Sequence, residues 1–204
     1  MGEDTAVDRL FEEANAVIRL LQASSELSLQ VAASDHFRKA LLLSAASYFE
    51  DRVCNLVMDY VRSRANGSHL VENLVRNKAI SRQYHSWFKW DANNANQFFG
   101  LFGDEFKSSM MTRVKASKDM QASISAFLEL GNERNRLVHQ NYAVFPMEKT
   151  LEEVYSLYKS STVFVDDLPT AFRDVDGGNQ SAQSGVVREA VARGGGGNIS
   201  QPQG

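Results

Sequence analysis

Apolar residues recur along this chain at steps of three and four, and the long stretches between glycines show no sustained period of two. Val7, Leu10, Phe11, Ala14, Val17, Ile18 and Leu21 form one stripe, which predicts a helix over Asp4–Ala23 with a single buried face. Ser34 is placed to cap a second helix, Asp35–Arg64. Its apolar set runs from Phe37 through Leu41, Ala45, Phe49, Val53 and Val57 to Val61. That set lasts about seven turns and covers too wide a face for a surface helix, so this element is predicted to be central and to end at Asn66-Gly67. Ser68–Phe88 reads as one or two helices, and Asn93-Asn94-Ala95-Asn96 breaks the pattern ahead of Phe98, Phe99, Leu101, Phe102 and Phe106. Gly100 and Gly103 suggest bends there. Met110–Ala116 is helical in pattern. Ser117 can cap a further helix whose stripe, Met120, Ile124, Phe127, Leu128, Leu137 and Val138, continues to about Asn141 with Gly131 tolerated inside. Pro146 is predicted to open the last helix, with Leu151, Val154, Tyr155 and Tyr158 on its apolar side. The run Thr162–Val165, three β-branched residues and a phenylalanine, leaves a short strand open. The fold class is all-α.

Composition changes this picture at the C-terminus. The final 31 residues, 174–204, hold 8 of the 13 glycines and no aromatic residue. Such a segment cannot offset its chain entropy, so residues 1–173 are expected to form one helical domain and 174–204 a disordered tail. The domain is large enough to bury roughly 70% of its unfolded surface. One cysteine, Cys54, rules out an intrachain disulfide scaffold and a Cys-based metal cluster. Five acidic residues within the first 22 and the lack of any long apolar run point away from a secretory leader or a membrane span, and a cytoplasmic protein is expected. The net charge of −3 is unevenly spread. Residues 1–50 carry 8 acids against 4 bases, whereas residues 76–120 carry 8 bases against 4 acids. The second segment can face phosphate, although ordinary solvated helix faces explain such a balance more often.

Several chemistries lack their sequence signatures. No phosphate-binding glycine loop or dinucleotide fingerprint is present, and no nucleophile elbow supports a serine triad. His36, His69, His85 and His139 have no His or Cys partner at ligand spacing, so no metal and no other cofactor is expected. What remains is the segment Gly131–Tyr142, where Arg134, Asn135 and His139 fall at about 0°, 100° and 140° around one helix. An Arg can hold a phosphate oxygen, a His can move a proton near neutral pH, and an Asn amide can orient either. Together they suffice in kind to cleave a phosphodiester without metal. The spacing by itself is uninformative, because Arg64 and His69 repeat it across the Asn-Gly turn and solvated bases are common near helix C-termini.

The surrounding residues are more specific. Arg134-Asn135-x-x-x-His139, preceded by Phe127-Leu128-Glu129-Leu130 and followed by Asn141-Tyr142, resembles the Arg-Asn-x-x-x-His motif of HEPN domains. Leu41–Glu50, Arg82–Phe88, Asn96–Phe99 and Leu101–Gly103 resemble segments of the RiboL-PSP-associated HEPN subgroup, so the resemblance covers roughly residues 35 to 145. It implies a HEPN-like helical bundle that dimerises with two such helices lining one cleft. It also implies a metal-independent endoribonuclease, used as a toxin or in phage defence, although some relatives are inactive modules that bind RNA or a partner protein. The matched catalytic positions are Arg134, Asn135 and His139, with Glu50 as a supporting residue; Arg136 and Tyr142 are candidates for substrate binding. RNA, a second copy of the chain, and an antitoxin or defence-system component are the implied partners, with no membrane.

Other residues admit plainer readings. Trp87, Phe88, Trp90, Phe98 and Phe99 can stack bases but more often build a core. His85 reads as a core or capping histidine. Glu50, seated among apolar neighbours, is expected to be buried and to need a partner, with Arg134 of either chain the natural one. Tyr142 is equally compatible with a hydrogen-bonding role at the site and with packing.

Overall fold

The computed structural model describes residues 4–193, with side chains described through Gly177. Among the described residues eight α-helices follow in chain order: α1 (Ala6–Ala23), α2 (Leu27–Arg64), α3 (His69–Val75), α4 (Tyr84–Trp87), α5 (Asn96–Gly100), α6 (Asp104–Ala116), α7 (Lys118–His139) and α8 (Leu151–Arg193). A π-helical turn, Arg76–Ile80, joins α3 to the loop before α4. The fold is all-α, as the periodicity predicts, and no strand occurs among the described residues.

The central helix is α2, which packs against α1, α7 and α8, while α7 and α8 pack on each other. Their shared interior is aromatic. Phe49 of α2 meets Phe127 of α7 edge-on at 5.6 Å, and Phe127 meets Phe164 of α8 at 5.3 Å. From Phe164 the ring contacts continue through Phe99, Phe106 and Phe172 to Tyr60. Fully burying side chains of this size contributes roughly 2–3 kcal/mol each, which makes this the main source of cohesion.

Helix starts follow the caps. Thr5 caps α1 in a reciprocal box with Asp8, and Ser117 caps α7 by accepting the Met120 N–H at 3.2 Å. The turn after α2 places Asn66 at φ 50° and Gly67 at φ 77°, the left-handed conformation that Asn-Gly favours.

Three expectations require correction. Ser34 lies inside α2, which starts at Leu27, because the first turns carry exposed Leu27, Leu29 and Val31 and therefore show no amphipathic stripe. Pro146 does not open the last helix. Phe145 and Met147 are buried on either side of it in a non-helical strap, and α8 begins only after Thr150, whose hydroxyl accepts from the Glu153 N–H while Glu153 accepts from the Thr150 N–H. Thr162–Val165 is helical, not a strand. Phe164 and Val165 pack in the core there, and Phe164 N–H donates to Ser123 Oγ at 2.8 Å. Tertiary packing overrides β propensity at this point.

The N-terminus is fastened by a closed polar cluster. Asp8 accepts from the Thr5 hydroxyl and N–H, from Tyr155 Oη at 2.7 Å and from Lys159 Nζ at 3.2 Å; the Thr5 hydroxyl also bonds Tyr158 Oη at 2.8 Å. Burial alone would raise the Asp8 carboxyl. The hydrogen bonds from Tyr155, Thr5 and Lys159 outweigh it and hold the group at about 2. Near the middle of α8, Arg113 binds both Asp167 (2.6 Å) and Asp174 (2.8 Å), and Arg64 pairs with Asp176 (2.7 Å). The expected tail begins at 174. The backbone of α8 is helical to Arg193, and side chains beyond Gly177 lie outside the described residues.

Candidate functional site

Helix α7 supplies one wall of the site. Its buried face, including Ile124, Phe127, Leu128, Leu130 and Leu137, is committed to the core, which turns Arg134, Asn135 and His139 toward the surface. Arg134 and Asn135 are half-buried, and Arg134 Nη1 donates to Asn135 Oδ1 at 3.1 Å. His139 is the last residue of the helix and is exposed. The chain leaving it is tied back to α2. Lys39, only 2% exposed, donates to Asp35 at 2.7 Å and to the Tyr142 carbonyl at 3.1 Å, and its ammonium lies 5.3 Å from the Tyr142 ring. A buried ammonium that meets both a carboxylate and a backbone carbonyl keeps its charge compensated, and it fixes the segment that follows His139.

The facing walls come from α2 and from the loop around α4. One step along α2 separates Phe49, buried in the core, from Glu50, exposed at the surface. Arg82, at φ 62°, turns the chain into α4, a left-handed conformation uncommon for a side-chain-bearing residue. Buried Tyr84 and Trp87 flank exposed His85 there, and Trp87 Nε1 donates to the Ala79 carbonyl at 3.0 Å. Trp90 Nε1 donates to the His85 carbonyl at 2.9 Å, and Gln97 Nε2 to that of Ser86 at 2.6 Å. The histidine therefore stands on a braced turn.

Between these walls is a cavity of about 350 Å³. Glu50, His85, Arg134, Asn135 and His139 form its polar lining, and aromatic rings form much of the remainder. Gly131 is a structural requirement here. A Cβ built on it falls within the Trp90 ring, so the indole sits directly against the α7 backbone. Burial, and then the charge of nearby Glu50, holds the Tyr84 phenol well above its usual range, so it stays protonated. The same two influences, with Asp51, push the Cys54 thiol up to about 11, which leaves it without nucleophilic thiolate near neutral pH.

The structure brings together Arg134, Asn135, His139 and Glu50, and it leaves out two of the sequence candidates. Arg136 points elsewhere, paired with Glu133 at 2.7 Å and 5.5 Å from the Phe145 ring. Tyr142 is engaged with Lys39 and does not line the cavity. Glu50 also differs from its expected state: it is exposed and carries no hydrogen bond or ion pair among the described residues, so burial does not demand Arg134 as its partner. His85, expected to be a core or capping residue, is an exposed part of the cavity lining. The ring-rich segment Arg82–Phe88 was the available signal, since one histidine among buried rings is presented by their packing. Trp87, Phe88, Phe98 and Phe99 are core, whereas Trp90 is half-buried and shared between core and cavity.

Among the described residues no group of three or more His, Cys, Asp or Glu side chains is arranged to hold a metal ion, and no helix is long and apolar enough to cross a membrane. No curated protein and no solved structure matches the chain. The family model described as RiboL-PSP-HEPN matches residues 8–174, so the chain belongs to that family.

Proposed function

We propose that this RiboL-PSP-HEPN protein is an endoribonuclease that cuts RNA without a metal, by attack of the ribose 2'-hydroxyl on the adjacent phosphorus. The observation that carries the reading is the convergence of Arg134, Asn135, His139 and Glu50 on one cavity, where His139 and Glu50 have no hydrogen-bonding partner among the described residues. A guanidinium beside an imidazole matches the needs of the reaction. The 2'-oxygen forms a bond to phosphorus, the bond to the 5'-oxygen breaks, one proton leaves the 2'-hydroxyl and one reaches the departing 5'-oxygen. His139 takes or supplies a proton, Arg134 offsets charge on the non-bridging oxygens, and Asn135 positions the phosphate. Glu50 orients the substrate from the α2 side. The products are a 2',3'-cyclic phosphate and a 5'-hydroxyl.

Two proton-transfer groups are needed, and two sources fit. In a symmetric dimer, the α7 helices of both copies face one cleft and each supplies a His139. Exposed Val138, Tyr142 and Val144 beside His139 suit such a contact. Within one chain, His85 already lines the same cavity. Mixing His139→Ala protein with wild type separates these sources: loss of activity in the mixed dimers beyond simple dilution indicates that both His139 side chains serve one site, and activity that falls only in proportion to the wild-type chains present indicates a site complete in each chain.

The decisive assay is incubation of wild type and His139→Ala with total RNA. Cleavage by the wild type that persists in EDTA, stops at a single deoxyribose and disappears in the variant supports the proposal. RNA binding without cleavage supports a silent module that uses the same face to hold RNA or a partner protein. Growth arrest on expression, relieved by His139→Ala, tests the role as toxin or phage-defence effector.

A further inference from the structure

A site that only grips phosphate has no need of an apolar floor, because phosphate contacts come from cations and amide donors. This cavity has both. The rim carries Arg134, His85 and His139, while the interior is closed by Phe49, Phe127 and Trp90. Trp90 is the notable member. Its indole N–H is already satisfied by the His85 carbonyl, so what it offers the cavity is carbon surface. The ring is fixed by Tyr84 at 5.6 Å, Phe88 at 5.0 Å and Phe127 at 5.8 Å, and by the missing side chain at Gly131. A partly exposed indole held on four sides is a preorganised stacking surface, which loses little freedom when a planar ligand arrives.

Size and charge identify the ligand. About 350 Å³ is at the small end of the range for small-molecule pockets, enough for one nucleoside and too little for a paired duplex. The Arg134 guanidinium, with the imidazole groups of His85 and His139 as hydrogen-bonding neighbours, favours a phosphate at the rim and leaves the uncharged base to the rings. Glu50, an exposed carboxylate on the same lining, repels phosphate but accepts from a base amino group or a ribose hydroxyl. We infer that the cavity is a nucleobase subsite, in which one unstacked base of single-stranded RNA lies on Trp90 next to the phosphate held by Arg134 and His139. The inference rests on the proposed ribonuclease reading for the placement of the phosphate, and it adds a specificity element that the α7 residues alone do not supply.

The test uses binding, so it does not depend on cleavage. Octanucleotides made uncleavable by 2'-deoxy substitution are titrated into the full chain, with one abasic residue moved along the strand. Stacking predicts one position where loss of the base weakens binding by roughly 5- to 150-fold in the wild type. That penalty should vanish in Trp90→Leu and largely survive in Trp90→Phe, whose circular dichroism and melting temperature report folding independently. A flat abasic profile, or the same penalty in Trp90→Leu as in wild type, overturns the inference. If wild type cleaves RNA but shows no Trp90-linked position, the subsite falls and the nuclease reading stands. If the position appears but no RNA is ever cut, the nuclease reading falls and the subsite stands.

Discussion

The protein contains two clusters of polar side chains against aromatic rings, and they are built on opposite principles. Around Asp8 every partner is internal: Thr5, Tyr155 and Lys159 all bond the one carboxylate, and Tyr158 joins through Thr5. Around His139 the polar groups converge yet scarcely bond one another, with Arg134 to Asn135 the one hydrogen bond between the lining side chains. Fully bonded clusters fix structure, since their groups have exchanged water for permanent partners. Groups that converge on a cavity and remain unbonded keep their capacity for a ligand. The difference separates a fastening from a working surface, even though the cavity beside Asp8, at about 770 Å³, is the larger of the two.

The contrast is testable from both ends. The largest effect is expected at the unbonded cluster: His139→Ala or Arg134→Ala should lower RNA cleavage by roughly 10²- to 10⁴-fold. Stability, followed by urea denaturation, should move by less than about 0.5 kcal/mol, because neither side chain bears structural load. A comparable loss of stability would erase the distinction. The bonded cluster should respond in reverse. Asp8→Ala leaves Tyr155, Thr5 and Lys159 without their shared acceptor and should cost about 2–3 kcal/mol, with cleavage at 25 °C unchanged.

A pH series sharpens the same point. The Asp8 carboxyl sits at about 2 when folded, against about 4 in an unfolded chain. Its folded value is depressed, so its contribution of about 2 kcal/mol is present above pH 4 and is lost as pH falls toward 2. Unfolding free energies measured from pH 5 to pH 2 should decline more steeply in wild type than in Asp8→Asn. Equal slopes would show that the hydrogen bonds do not hold the carboxyl down. The smallest effect belongs to the solvated pair Arg52–Asp166, 3.4 Å apart and largely exposed. Asp166→Ala should change stability by no more than about 0.5 kcal/mol, and any larger loss would mean that the surface around the Asp8 cavity contributes more than its exposure suggests.

Legibility from sequence followed the same division. Elements whose apolar face is buried and whose cap is local were readable, as with α7 behind Ser117 and the Asn66-Gly67 turn after α2. The start of α2 was not, because Leu27, Leu29 and Val31 face solvent and leave no periodic trace. The start of α8 carried a readable signal, the Thr150–Glu153 box, which the more conspicuous Pro146 obscured. At the site, Arg134, Asn135 and His139 share one helix, so their convergence follows from helical geometry alone. Glu50 was brought into that group by resemblance and not by spacing. His85 joins it on the single helical turn of α4, which is aimed by the left-handed residue Arg82 and braced by Trp87 and Trp90, an arrangement that only tertiary packing creates. The need for glycine at position 131 was hidden for the same reason, since the ring that occupies its missing side chain lies 41 residues earlier in the chain.

Phe49 and Phe127 belong at once to the wall of the cavity and to the centre of the bundle, where Phe127 also touches Phe88, Trp90 and Phe164. The pocket therefore has no melting transition of its own: it persists while the whole domain persists and vanishes with it. Anything that settles there should be registered by the entire domain as a rise in melting temperature, by about 2.7 kcal/mol of stabilisation when the compound is present at a hundred times its dissociation constant. A thermal-shift screen of nucleotides and short oligomers can thus search for the natural occupant before any target RNA is known.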